Sequence, residues 1–232
     1  MRPTDRPDIR SLDLFQRISE DNFDALMRGA YVQNFPPQVD LITEGDPSDF
    51  LHIVVEGSVE LFASWNGRET TMATIRPVSS FLLAASIKDA PYLTSARTAE
   101  KCRVVLLPSM DVREVFKNDQ DFARAVVSEL ADSYRRVLKD TKDLKLRTSI
   151  ERLANYLLRA HFLAGEDAEF DLSIEKKRLA SLLGMTPENL SRAIKSLRAY
   201  GVEIDGAHVH LTDLDDLRAF AKPTPLIDDP NR

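Results

Sequence analysis

Between Asp119 and Leu146 the chain carries neither glycine nor proline, and this stretch constrains everything around it. Within it Ala123, Val127, Leu130, Tyr134, Val137, Thr141 and Leu144 recur at alternating spacings of four and three residues. That is the a/d register of a helix that buries a seam against another helix. At about 1.5 Å per residue such a helix is roughly 40 Å long, more than one small domain can cover. The seam is therefore expected to meet a second copy of the chain, with Val127, Leu130, Tyr134, Val137, Thr141 and Leu144 at the interface. The alternative is a stripe that packs only on its own domain.

The texture differs on the two sides of this helix. Residues 11–30 read as a helical lead-in with Leu14, Ile18 and Leu26 as apolar landmarks. From Val32 to Leu107, short apolar segments such as Leu51-His52-Ile53-Val54-Val55 and Val104-Val105-Leu106-Leu107 are separated by turn signals, among them Glu56-Gly57-Ser58 and Asn66-Gly67. This spacing predicts a small antiparallel barrel or roll. After the helix, Thr148-Ser149-Ile150-Glu151 forms a capping-box pattern, which places a boundary at Arg147. The expected organisation is α+β: an antiparallel β-roll with an N-terminal helix (1–118), a dimerisation helix (119–146), a winged helix-turn-helix (147–222) and a disordered tail (223–232).

A length of 232 residues suits two such domains. No segment approaches the roughly 18 apolar residues of a membrane span, so the expected location is the cytoplasm and no membrane partner is implied. The lone cysteine, Cys102, rules out an internal disulfide and any site built on several thiolates, and its apolar setting reads as a buried structural thiol. The chain carries no metal motif, phosphate loop or nucleophile elbow, which argues against an enzyme.

Residues 172–211 carry the functional signal. Ser173 precedes a first helix ending near Leu183, Gly184 supplies a turn, and Thr186-Pro187-Glu188 opens a second helix with an N-cap hydroxyl and a proline at its first position. Ala180, Gly184 and Leu190 fall where a helix-turn-helix needs a small contact, a flexible turn and an apolar plug. After Gly201, Val202 to Leu211 reads as a hairpin around Asp205-Gly206, a wing. Between Leu172 and Tyr200, six basic residues (Lys176, Lys177, Arg178, Arg192, Lys195 and Arg198) stand against the acids Glu175 and Glu188, in a chain whose net charge is -6. One basic face on an acidic protein points to double-stranded DNA. Glu188, Ser191 and Arg192 lie in the first turns of the second helix, where side chains reach base edges. Lys195, Lys176 and Lys177 are candidates for further DNA contacts, the latter two with phosphates.

The run Thr186-Pro187-Glu188-Asn189-Leu190-Ser191-Arg192 resembles the Glu-x-x-Ser-Arg signature of the fumarate-nitrate regulator branch of the cyclic-AMP receptor/fumarate-nitrate regulator (CRP/FNR) family. The resemblance implies a homodimer on TTGAT-like half-sites, a cyclic-nucleotide-binding-like roll, and RNA polymerase as a partner if the protein activates. Pro187 stands where the cyclic-AMP receptors carry a further arginine. Aligned to that family, the positions that would hold a cyclic nucleotide fall on Leu82, Tyr92, Leu93, Val137 and Leu138, and the run Phe81-Leu82-Leu83-Ala84-Ala85 is apolar too. A phosphate buried there would lack a cation, so cyclic AMP is not the expected effector. The region reads either as a pocket for an apolar small molecule or haem, formed by Phe81, Leu82, Leu83, Tyr92, Leu93, Val137 and Leu138, or as a collapsed core. The iron-sulfur cluster of some relatives needs four cysteines and is excluded. His52 reads as a roll histidine with haem ligation as the rival, and His208 and His210 share a strand face that suits phosphate contact, solvent or metal. The competing class is a ligand-binding module that acts through protein contacts alone.

Overall fold

The computed structural model describes residues 5–172 and 174–229; Ser173 and residues 230–232 of the tail lie outside the described residues. The chain packs as two units that divide inside the long helix, one ending at Ser133 and the other beginning at Tyr134.

In the first unit, helices α1 (Asp5–Arg10) and α2 (Glu20–Gly29) flank a turn that buries Leu14 and Ile18, so only the later half of the expected lead-in 11–30 is helical and a separate short helix precedes it. Eight strands follow: β1 (Tyr31–Phe35), β2 (Asp40–Ile42), β3 (Phe50–Glu56), β4 (Val59–Trp65), β5 (Arg68–Ile75), β6 (Ser79–Phe81), β7 (Ser95–Thr98) and β8 (Cys102–Pro108). They form two antiparallel four-stranded sheets, ordered β1-β8-β3-β6 and β2-β7-β4-β5, the expected roll. The apolar runs without polar alternation have a simple cause, because both faces of β3 and β8 are covered. Leu51, Ile53, Val55, Val105 and Leu107 point to a core shared with the helices, whereas Val54, Cys102, Val104 and Leu106 point to the roll interior.

Helix α3 (Leu83–Lys88) joins β6 to β7, and α4 (Ser109–Asn118) leads to the long helix α5 (Gln120–Leu146). Asp119 starts α5 by accepting the Phe122 amide at 2.9 Å. The first turns of α5 bury Phe122 and Val126 in the helix-side core, and Leu130 packs partly against it. Leu130 therefore serves the roll as well as any seam. Val127, Tyr134, Val137, Thr141 and Leu144 are exposed.

In the second unit, α5 ends at Leu146 and α6 (Ser149–Leu163) begins with the predicted capping box: Thr148 and Glu151 exchange both bonds. There follow β9 (Glu169–Asp171), α7 (Lys176–Leu182), α8 (Pro187–Leu197), a 3-10 turn over Arg198–Tyr200, β10 (Val202–Asp205), β11 (His208–Leu211), α9 (Leu214–Ala221) and α10 (Pro225–Asp228). The sheet order is β10-β11-β9. Within the acidic segment 165–171 the edge of β11 recruits Glu169–Asp171 as a third strand, and Phe170 is buried. One expectation needs correction. The tail is not disordered from Pro223 onward: α10 forms, and Asp228 is tied to Arg147 and Arg159. Composition alone reads as disorder there, and the ordering partners lie far away in sequence.

Candidate nucleic-acid interface

The helix-turn-helix is built from α7 and α8 over a core of Leu179, Ala180, Leu190, Ala193 and Leu197. Gly184 turns the chain with φ +63, a left-handed conformation that favours glycine, and a Cβ there would press on the tip of Leu144, 2.8 Å from Cδ2. Thr186 caps α8 by accepting the Asn189 amide at 3.2 Å, with Pro187 in the first turn. Gly201, at φ +73, ends the segment where a Cβ would stand 2.5 Å from the Asp213 amide nitrogen.

Burial of Leu190, Ala193 and Leu197 leaves Glu188, Ser191, Arg192 and Lys195 exposed, at helical spacings of three, one and three residues that put them on one face. The α8 residues predicted to read DNA are thus brought together. Arg192 Nη2 donates to Asn189 Oδ1 at 2.9 Å, and Ser191 Oγ donates to the Pro187 carbonyl at 3.0 Å. The Glu188 carboxyl is held below its ordinary value by its own amide at the helix start, by the Thr186 hydroxyl and by Arg192, against a small opposing effect of burial. Such a surface offers a bidentate cation for guanine acceptors and an anion for a cytosine amino group. Lys176 and Lys177 are exposed on the first turn of α7.

Sequence reasoning missed Arg152. It is buried, donating through Nε to the Leu183 carbonyl at 2.8 Å and through Nη1 to the Arg147 carbonyl at 2.8 Å. It thereby ties the turn before the recognition helix to the end of the long helix. Its one legible signal is a cation on the apolar face of α6.

The wing pairs Asp205 with His208, so Gly206 and Ala207 form its loop, one residue later than predicted. Its histidines face acids: His208 Nδ1 lies 3.1 Å from Asp171 Oδ1, and His210 Nδ1 lies 3.8 Å from Glu203 Oε2. Among the described residues no cluster of three or more ligating side chains is placed to hold a metal.

The predicted effector residues are only partly brought together. Phe81, Leu82 and Tyr92 pack into the roll interior, Leu83 turns into the other core, and Leu93 is 83% exposed. Val137 and Leu138 lie on α5 in the second unit, 62% and 43% exposed. Tyr92 donates its hydroxyl to the Phe50 carbonyl at 2.6 Å, and burial pushes its pKa up to about 12. In the same unit Arg97 is paired with Asp40 at 2.7 Å, and Arg103 is held by Asp5 and Glu56. Cys102 is buried, its thiol donates to the Ser58 carbonyl at 3.0 Å, and burial raises its pKa, as a structural thiol requires.

Comparison with known proteins agrees with this layout. A cyclic nucleotide-binding domain family matches residues 32–119, and a Crp-like helix-turn-helix domain family matches residues 151–220. A CRP-like cAMP-activated global transcriptional regulator of Mycobacterium tuberculosis is 23% identical over 215 residues, covering 90% of this chain and 96% of that protein. The structure of a putative cAMP-binding regulatory protein from Silicibacter pomeroyi is 26% identical with a TM-score of 0.59, covering 96% of this chain and 100% of that one. FixK2 from Bradyrhizobium japonicum shares the fold with a TM-score of 0.71 at 21% identity, covering 84% of this chain and 98% of that one. The two matched domains occur in the order and at the positions where the roll and the winged helix were found, and the chain belongs to the CRP/FNR family of transcriptional regulators.

Proposed function

We propose that this regulator is a homodimer that binds a TTGAT-like palindrome, reading bases through Glu188, Ser191 and Arg192 and holding the backbone through Lys176, Lys177 and Lys195. The observation that carries this reading is the sorting of α8: Leu190, Ala193 and Leu197 are buried, while Glu188, Ser191, Arg192 and Lys195 are exposed along one side. The exposed stripe Val127, Tyr134, Val137 and Leu144 supports the dimer. Two-fold symmetry then sets half-site centres about 34 Å apart, one turn of the duplex. Fluorescence anisotropy on a TTGAT palindrome and a scrambled control tests the reading. Arg192→Ala is expected to cost about 1–3 kcal/mol on the specific site and to relax one base position, whereas Lys177→Ala weakens all sequences alike. An unchanged base preference in Arg192→Ala would overturn the assignment, and a ligand-binding module acting through protein contacts alone would show no sequence preference at all.

In the same reading the effector is not cyclic AMP. Support comes from the apolar Phe81, Leu82 and Tyr92 and from the carboxylates that occupy Arg97 and Arg103. An apolar small molecule or haem, or no ligand at all, fits those residues better. The opposite reading is favoured by the likeness to a regulator named for cAMP activation. Calorimetric titration with cyclic AMP decides: saturable micromolar binding together with tighter DNA binding overturns the apolar reading.

A further inference from the structure

The joint between the long helix and the winged helix is clamped from outside the matched helix-turn-helix segment, which ends at residue 220. Arg147, the first residue after α5, has 9% side-chain exposure, as does Asp228 of α10. The guanidinium meets the carboxylate with two parallel bonds, Nη1 to Oδ1 at 2.7 Å and Nη2 to Oδ2 at 2.6 Å. The same guanidinium donates to Asp143 of α5 at 2.8 Å, and Arg159 of α6 reaches Asp228 Oδ1 at 3.0 Å. Lys139 of α5 adds a bond to the Asp229 carbonyl at 3.1 Å, and the Thr224 amide donates to Asp228 Oδ2 at 2.7 Å. One short segment thus grips the last turns of α5, the joint, and the middle of α6.

What holds the segment is charge. Helix α10 buries no residue fully, its Leu226 is 72% exposed and only Ile227 among its apolar side chains is half-buried, so little apolar area keeps it in place. A docking that rests on one carboxylate between two guanidiniums is strong while complete and fails when that charge is removed.

We propose that Pro225–Asp229 is a latch: its Asp228 carboxylate, seated on Arg147 and Arg159, locks the winged helix in one orientation on the end of the long helix, and its release frees the joint at Arg147. The proposal adds to the DNA-binding reading a requirement that any signal turning the winged helix about this joint must first displace Asp228.

Hydrogen exchange on the full-length protein without DNA tests the latch. Asp228→Asn keeps the side-chain shape and removes the charge; a chain ending at Thr224 removes the segment. Both are expected to speed amide exchange across residues 144–150 at least tenfold while the amides of Leu179, Leu190 and Leu197 keep their protection. Unchanged exchange at the joint would overturn the latch. An equal rise in the helix-turn-helix core would overturn it as well, because α10 would then be a staple of the whole domain. No DNA enters the measurement, so failure here is distinct from failure of the proposed operator recognition.

Discussion

His52 sits in the roll interior, 5.2 Å from the ring of Phe81 and 6.2 Å from that of Tyr92, and its Nδ1 has no hydrogen-bond partner. Burial lowers its pKa from 6.5 to about 4, with the Phe50 backbone opposing the shift. The folded chain therefore keeps this ring neutral where the unfolded chain protonates it. From about pH 6.5 down to about pH 4, this group alone should erode the stability of the first unit, by about 1.4 kcal/mol per pH unit at most. Urea unfolding of His52→Phe at several pH values across that window should show a flatter dependence than the wild type, and parallel curves would contradict the burial assigned here. The sequence places His52 in a strand, and period two then gives it the same face as Val54. That this face looks into the roll interior, and that Nδ1 finds no hydrogen-bond partner there, depends on pairing with Leu106 and Phe81 from distant strands. The directions of Leu93 and Leu83 are hidden from the sequence in the same way: neither a family position, which singles out Leu93, nor an apolar run, which includes Leu83, gives a side-chain direction, and the left-handed backbone of Leu82 at φ 58 turns the chain before Leu83.

Among elements, α5 was the most legible, since a glycine- and proline-free run with a regular apolar period has few other ways to fold. Its faces were less so. The strict register assigned Leu130 to the seam, but the first turns also serve the roll core, and Leu130 packs there. A charge at Leu130 would consequently damage the roll and the proposed dimer together. Val137, 62% exposed, separates the two effects. Val137→Glu should leave the unfolding of each unit unchanged and shift sedimentation from dimer to monomer, by placing two carboxylates near the dimer axis. A persistent dimer would move the seam elsewhere. Caps were read well because their chemistry is local: Thr148 and Glu151, like Thr186 and Asn189, are three residues apart. Strand β9 and helix α10 escaped because each is ordered by something remote, β9 by the edge of β11 and α10 by Arg147, which lies 81 residues before Asp228.

For the molecule as a whole, two units, each with its own core, mean two stabilities. Leu153 is fully buried in the second, among Leu157, Leu179 and Leu197. Leu153→Ala should lower the stability of the winged-helix unit by about 2–5 kcal/mol. The roll should keep its own transition in a calorimetric scan, and a common shift of both would mean that the units unfold as one. The latch bears on how such a module can be inherited or transplanted. A recombination that exchanged only the matched segment 151–220 would keep Arg147 and Asp228 from one parent while Arg159 came from the other. A cut at the capping box would part Asp228 from the bidentate Arg147 and leave it the single bond to Arg159. The smallest portable DNA-reading unit of this chain therefore begins inside the long helix, upstream of Lys139, and runs through Asp229, so shuffling at the evident sequence boundary would yield chimaeras whose joint has lost its bidentate ion pair.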